Sequence, residues 1–174
     1  AYARNEFLNK YGVDPVQLTL DSPEWPKWVQ YRQDKVTHFV SKLKPLTQKK
    51  NLTVSAVIFP DGEESSIMKL QNWPQWAVNK YVNAFTPLIL GSDEQLAYNQ
   101  INNIKNVTAG NVDVYPGLFQ TFAYGTPYDM LKQIIAARKA GAKGIVIFDY
   151  AHLSKDFITP LTTSAFLVKQ DSKK

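Results

Sequence analysis

Four apolar, strand-like runs punctuate the chain at 52–59, 84–90, 112–119 and 144–150. Their starts are nearly evenly spaced, and helical periodicity fills most of each gap. Strands alternating with helices at this interval predict βαβ units and a parallel sheet. The run Leu52-Thr53-Val54-Ser55-Ala56-Val57-Ile58-Phe59 is β-branched and stops at Pro60-Asp61-Gly62, as a strand running into a turn should. Pro116-Gly117 interrupts the third run and predicts a bulge or an early end. Residues 144–150 are nearly all apolar, the pattern of a strand covered on both faces.

Between the strands the period changes to 3.6. Phe7, Leu8 and Tyr11 predict a short helix over 1–11, stopped by Gly12. A proline-punctuated connection leads to the longest helix, 24–49. Its predicted face is Trp28, Arg32, Val36, Phe39, Val40, Leu43 and Leu46, with Pro45 bending or ending the last turn. Further helices are predicted over 71–82, 93–104 with Ser92 or Asp93 as cap, from Thr126-Pro127 to Gly141, and 156–167. Asp61-Gly62-Glu63-Glu64-Ser65-Ser66 reads as a solvated turn. The organisation is a single α/β domain over 1–168 with a frayed tail at 169–174.

A closed (β/α)8 barrel takes roughly 250 residues; this chain offers four strands in 174. The fold expected is the C-terminal half of a (β/α)8 TIM barrel, with a small self-contained α/β sandwich as the alternative. Ala1-Tyr2-Ala3-Arg4 shows neither an initiator Met nor a signal peptide, and is read as an internal point of a longer chain. Right-handed crossovers place all strand ends on one side: Phe59-Pro60-Asp61, Leu90-Gly91-Ser92, Phe119-Gln120-Thr121 and Asp149-Tyr150-Ala151-His152. In barrels the chemistry sits on that side.

Composition narrows the function. There is no cysteine, which excludes disulfides, thiol nucleophiles and thiolate metal sites. The net charge of +5 comes from dispersed lysines; without a basic stripe or a known motif, nucleic acid is not an expected partner. No run is long enough for a membrane span. No glycine-rich phosphate loop, G-x-S-x-G elbow or H-E-x-x-H spacing occurs, so neither a cofactor nor a metal is expected. Asn51-Leu52-Thr53 and Asn106-Val107-Thr108 match the N-glycosylation pattern, a match short enough to arise by chance.

Several stretches carry a resemblance. Lys10-Tyr11-Gly12-Val13-Asp14-Pro15, Trp28-Val29-Gln30-Tyr31-Arg32 followed by Val36-Thr37, Gln71-Asn72-Trp73-Pro74-Gln75-Trp76 and the strand end Phe148-Asp149-Tyr150 together resemble the second half of glycosyl-hydrolase-like family ten, bacterial proteins with a divergent α/β barrel. The likeness spans about residues 7–153. Tyr31 stands for the family's second Trp and Asn72 for its Asp. Thr86-Pro87-Leu88-Ile89-Leu90 replaces a Pro-Gln-x-Tyr strand end. The resemblance implies a glycoside hydrolase acting on cell-envelope or other polysaccharide and an extracytoplasmic home. It also implies a principal catalytic carboxylate upstream of this chain, so that the chain is inactive alone. A non-catalytic carbohydrate-binding module and a stand-alone interaction domain are the other readings.

Glycoside hydrolysis ordinarily uses two carboxyl groups. Asp149, ending an apolar strand where burial would perturb it, is the candidate catalytic residue; a structural carboxylate bonded to a neighbouring loop is the other role open to it. His152 either shares that site or bonds locally. Asp93 is expected to cap its helix. Sugar rings stack on aromatic side chains, which makes Tyr115, Tyr124, Tyr128, Trp73 and Tyr150, with His152, the substrate-binding candidates. Tyr115 and Phe119 could equally fill a barrel. The expected partners are oligosaccharide or polysaccharide, and either the missing half of the barrel or a second copy of this chain.

Overall fold

The computed structural model describes residues 2–120 and 125–166. In chain order these form α1 (Tyr2–Tyr11), α2 (Trp25–Gln48), β1 (Ser55–Ile58), α3 (Gly62–Met68), α4 (Trp73–Val78), β2 (Ala84–Ile89) and α5 (Glu94–Val107). There follow β3 (Asp113–Val114), β4 (Gly117–Phe119), α6 (Pro127–Lys139), β5 (Val146–Phe148) and α7 (Lys155–Pro160), the last running into a π-helical turn at Leu161–Ala165. Every strand pairing is parallel. The order β1-β2-β4-β5 follows the chain, with β3 also beside β2.

The third run is one strand with a broken ladder. Ala84 stands opposite Asp113 and Ile89 opposite Leu118, the same offset throughout. No residue is gained or lost, so the expected bulge is absent. The break falls at Tyr115-Pro116, where proline has no N–H to give, and the Pro116 carbonyl still accepts from Val146 N–H at 3.0 Å.

Alternate residues of this register separate two different faces. Ile58, Phe85, Val114, Ile89 and Leu118 point into the apolar clusters built with Trp73, Trp76, Ile101, Ile104, Met130 and Ile134 from the helices. Burying one such leucine or isoleucine contributes roughly 1.5–3 kcal/mol. The intervening residues Val57, Thr86, Leu88, Phe119, Val146 and Phe148 enter neither cluster. The helices therefore clothe one face of the sheet. The expectation that 144–150 is covered on both faces is corrected: only Val146–Phe148 is strand, and all three residues are half-buried.

That second face is paved by its own aromatics. A Cβ on Gly117 would lie 2.7 Å from the Phe148 ring, and one on Gly144 would lie 3.0 Å from Tyr115. Each ring thus occupies the space where its neighbour has no side chain, as when aromatics rescue strand glycines. Phe148 also stacks on Phe119, centroids 4.8 Å apart and planes at 8°.

Local signals explain the helices. Asp93 accepts from Leu96 N–H at 2.7 Å, as a cap should. Thr126 and Asp129 form a reciprocal capping box, with Pro127 in the first turn. Gly12 and Gly141 adopt φ of 74° and 79° just past their helices, a left-handed stop that favours glycine. Two expectations need correction. Asp61–Ser66 is no solvated turn: Asp61 caps α3 by accepting from Glu64 N–H at 2.7 Å. In α2 the inward residues are Val29, Gln33, Val36, Thr37 and Val40, while Phe39 and Leu46 are 65% and 61% exposed. Buried polar ties hold α2 in place: Trp76 Nε1 donates to Thr37 Oγ1 at 3.0 Å, and Gln33 Nε2 donates to Ser66 O at 2.7 Å. Pro45 does not end the helix, which runs on to Gln48.

Candidate functional site

The strand exits lie on one side of the sheet, and a carboxylate–imidazole pair lies beyond β5. Asp149 follows the last strand residue through a cis Phe148–Asp149 peptide and caps a 3-10 turn, Tyr150–His152. Its Oδ1 accepts from His152 N–H at 3.2 Å and lies 2.8 Å from His152 Nδ1. Both side chains are more than half exposed, 57% for Asp149 and 56% for His152. Tyr150 between them is 91% exposed. The sequence suggests a carboxyl group perturbed by burial, which would raise its pKa. The structure gives the reverse: the His152 side-chain hydrogen bond, helped by the backbone bond, holds Asp149 below the ordinary carboxylate range.

The other candidates separate. Trp73 has no exposed surface; its ring packs edge-on to Phe85 and its Nε1 donates to Phe59 O at 3.0 Å. It fills the core and cannot meet a sugar there, because its polar atom and both ring faces are already occupied. Tyr115 lies part-way along the sheet and borders a polar cleft with Thr53, Asn83, Asn111 and Asp113, at the strand starts rather than the exits. Tyr128 is 68% exposed on the first turn of α6, with Lys132 Nζ 5.1 Å from its ring centre. It borders a groove between α6 and the π-helical turn with Ile135, Arg138 and Ala165, in the helix layer. Tyr124 and its neighbour Phe122 lie outside the described residues. Of the candidates, the structure brings together Asp149, Tyr150 and His152.

The motifs that carry the resemblance have structural work. Trp28 stacks on Tyr31 at 5.5 Å, and both receive Phe7 edge-on. The Tyr31 hydroxyl donates to Glu6 at 2.7 Å, and Arg32 lies over Trp25 and Trp28. Gln71 meets the side of β1 turned away from β2. Its Oε1 accepts from Phe59 N–H at 3.0 Å and its Nε2 donates to Val57 O at 3.2 Å. The side-chain amide thus supplies the pairing that a neighbouring strand would offer. Asn72 caps α4.

A second feature escaped the sequence reading. Past Ile58 and Pro87, the last β1–β2 pair, a cleft of about 320 Å³ opens between α3 and α5. Phe59, Leu90 and Leu96 form its apolar wall, and Glu64, Lys69 and Gln100 its polar one. Lys69 Nζ lies 4.6 Å from the Phe59 ring centre, and Gln100 Oε1 is buried without a hydrogen-bond partner. The available signal was Asp61-x-x-Glu64, an acidic helix start directly after a strand.

Chemically, the β5 exit offers one ionised carboxylate bonded to one imidazole. Asp61 and Asp93, at the two other described acidic exits, are spent on helix caps. Among the described residues no group of three or more His, Asp or Glu is placed to hold a metal ion, and no helix is long and apolar enough to cross a membrane. The fold defines an α/β domain with a parallel sheet, β1-β2-β4-β5, alternating with helices. Compared with protein-family models and with curated proteins, the chain matches none.

Proposed function

We propose that this chain is the C-terminal half of a (β/α)8 barrel of glycoside-hydrolase type, working on cell-envelope or related polysaccharide outside the cytoplasm. One observation carries the reading. Parallel strands in chain order, with every sheet-packing helix cluster on one face, leave an apolar second face, which is what the interior of a barrel looks like before closure. A doubly wound sheet would reverse its order and place helices on both sides. The Asp149–His152 pair lies at a strand exit, where barrel enzymes keep their chemistry. The motif resemblance supplies the substrate class.

Asp149 is the ionised carboxylate that this half contributes to the site, and the proton-donating acid comes from the adjoining half. The test is release of reducing ends from cell-wall polysaccharide. The protein containing both halves should show it, the chain alone should not, and Asp149→Asn in the whole protein should abolish it. Turnover by the isolated chain, or unchanged turnover in the variant, would refute the assignment. The two carboxylates spent on caps favour a second reading, glycan binding without cleavage; saturable binding with no product from the whole protein would establish it.

A further inference from the structure

We infer that His152, rather than Asp149, exchanges the proton with a bound ligand, and that Asp149 is the positioning residue that fixes its ring. The inference rests on the proposed location of the site, but on separate geometry. Asp149 Oδ1 faces Nδ1 at 2.8 Å while also taking the His152 backbone N–H. A carboxylate held ionised is an acceptor only, so Nδ1 must be the donor. In the neutral imidazole the other nitrogen, Nε2, is then the acceptor.

Several facts agree with this division. No hydrogen bond within the described residues engages Nε2, and the ring is half exposed, so that nitrogen is open to a ligand. The turn fixes the pair locally: Asp149 caps the three residues that end at His152, so one short loop sets both the ring's position and its tautomer. Carboxylate, imidazole and outward-facing nitrogen form the base-and-orienter arrangement that serves proton transfer on unrelated folds. Asp149 Oδ1 serves two donors, the His152 ring and the His152 backbone, which ties that oxygen to holding the ring.

The step is a simple proton transfer. The O–H bond of a water or a sugar hydroxyl breaks, its electron pair stays on oxygen, and the proton forms an N–H bond at Nε2. The Nδ1 proton remains on the ring, and Asp149 stabilises the resulting imidazolium without becoming protonated.

Nitrogen-15 NMR of the chain itself tests the assignment, at a pH about two units above the ordinary imidazole value. His152 should be the Nδ1–H tautomer, and Asp149→Ala should lose that preference. Diethylpyrocarbonate should modify His152 at Nε2, more slowly in Asp149→Ala than in the parent. An Nε2–H tautomer in the parent chain would overturn the inference, whatever the protein hydrolyses. In the whole protein, His152→Gln should lower kcat roughly 100- to 10,000-fold with KM little changed; unchanged kcat would also overturn it. Correct tautomers with no polysaccharide turnover by the whole protein would defeat the hydrolase reading alone.

Discussion

At the residue scale, two contacts invite direct tests. Gly117 exists for the Phe148 ring, which leaves 2.7 Å for a Cβ. Gly117→Ala should cost about 1–3 kcal/mol through overpacking, measured by urea unfolding. Phe148→Leu should remove part of that penalty, so the double-mutant cycle should be non-additive; an additive cycle would mean the ring does not rest on Gly117. Asp149 has the opposite character, exposed and dominated by charge. Its pKa is depressed on folding, so its contribution is present above the ordinary carboxylate range and disappears as pH falls through the folded value. The stability difference between the parent and Asp149→Asn should therefore shrink on acidification from pH 6, and a difference that grows would contradict the His152 bond. The Gly117 contact was not visible in the sequence, whereas the association of Asp149 with His152 was, though not its exposure. Gly117 reads there as a strand breaker, and a terminal aspartate reads as buried because the run before it is apolar.

At the element scale, α6 shows how much its sequence dictates. The capping box holds Asp129 at a pKa of about 2, chiefly through the Thr126 backbone and hydroxyl, with Lys132 adding to it. The folded value lies below the unfolded one, so this contribution persists through mild acid and is lost only as pH falls toward about 2. Thr126→Ala should cost about 1 kcal/mol at neutral pH, read from thermal or urea unfolding; no change would mean the cap is not formed. Gln71→Leu removes the partner of Val57 O and Phe59 N–H, and should cost about 1–3 kcal/mol, with faster amide exchange at Phe59.

The four strands, the α5 and α6 caps and the glycine stops were all legible because each rests on local chemistry. The α2 face was legible only in part: Val36 and Val40 pack on the core as expected, whereas Phe39 and Leu46 are exposed. Phe39 and Leu46 fit helical spacing as well as Val29, Gln33 and Thr37 do, and the choice is made by long-range partners. Trp76 seeks Thr37 and Ser66 seeks Gln33, neither pairing being readable from period alone. In the candidate site, Asp149, Tyr150 and His152 were legible as neighbours in sequence at a strand end. The dispersal of Trp73, Tyr115 and Tyr128 was not, because it depends on which side of the sheet each element meets.

For the whole molecule, the consequence is an unequal surface. Val57 and Leu90, on the second face and its margin, are 50% and 54% exposed. Phe39 and Leu46 lie on the flank of α2 turned away from α3 and α4. Exposed apolar side chains in this number promote association. The isolated chain should sediment as dimers or larger species at micromolar concentration, and the pair Val57→Lys with Leu90→Lys should shift it toward monomer without loss of helical signal. A parent chain that is monomeric at high concentration would favour the self-contained two-layer domain over the half barrel.

The Gln71 amide bears on how any such union could proceed. A polypeptide approaching the outer margin of β1 finds the exit end already latched, whereas Ser55 at the other end carries no such latch. Annealing would begin at the entry end and advance only as the latch let go. One glutamine thus gives the margin a direction and an energetic threshold, which sets a correct neighbour apart from a chance strand.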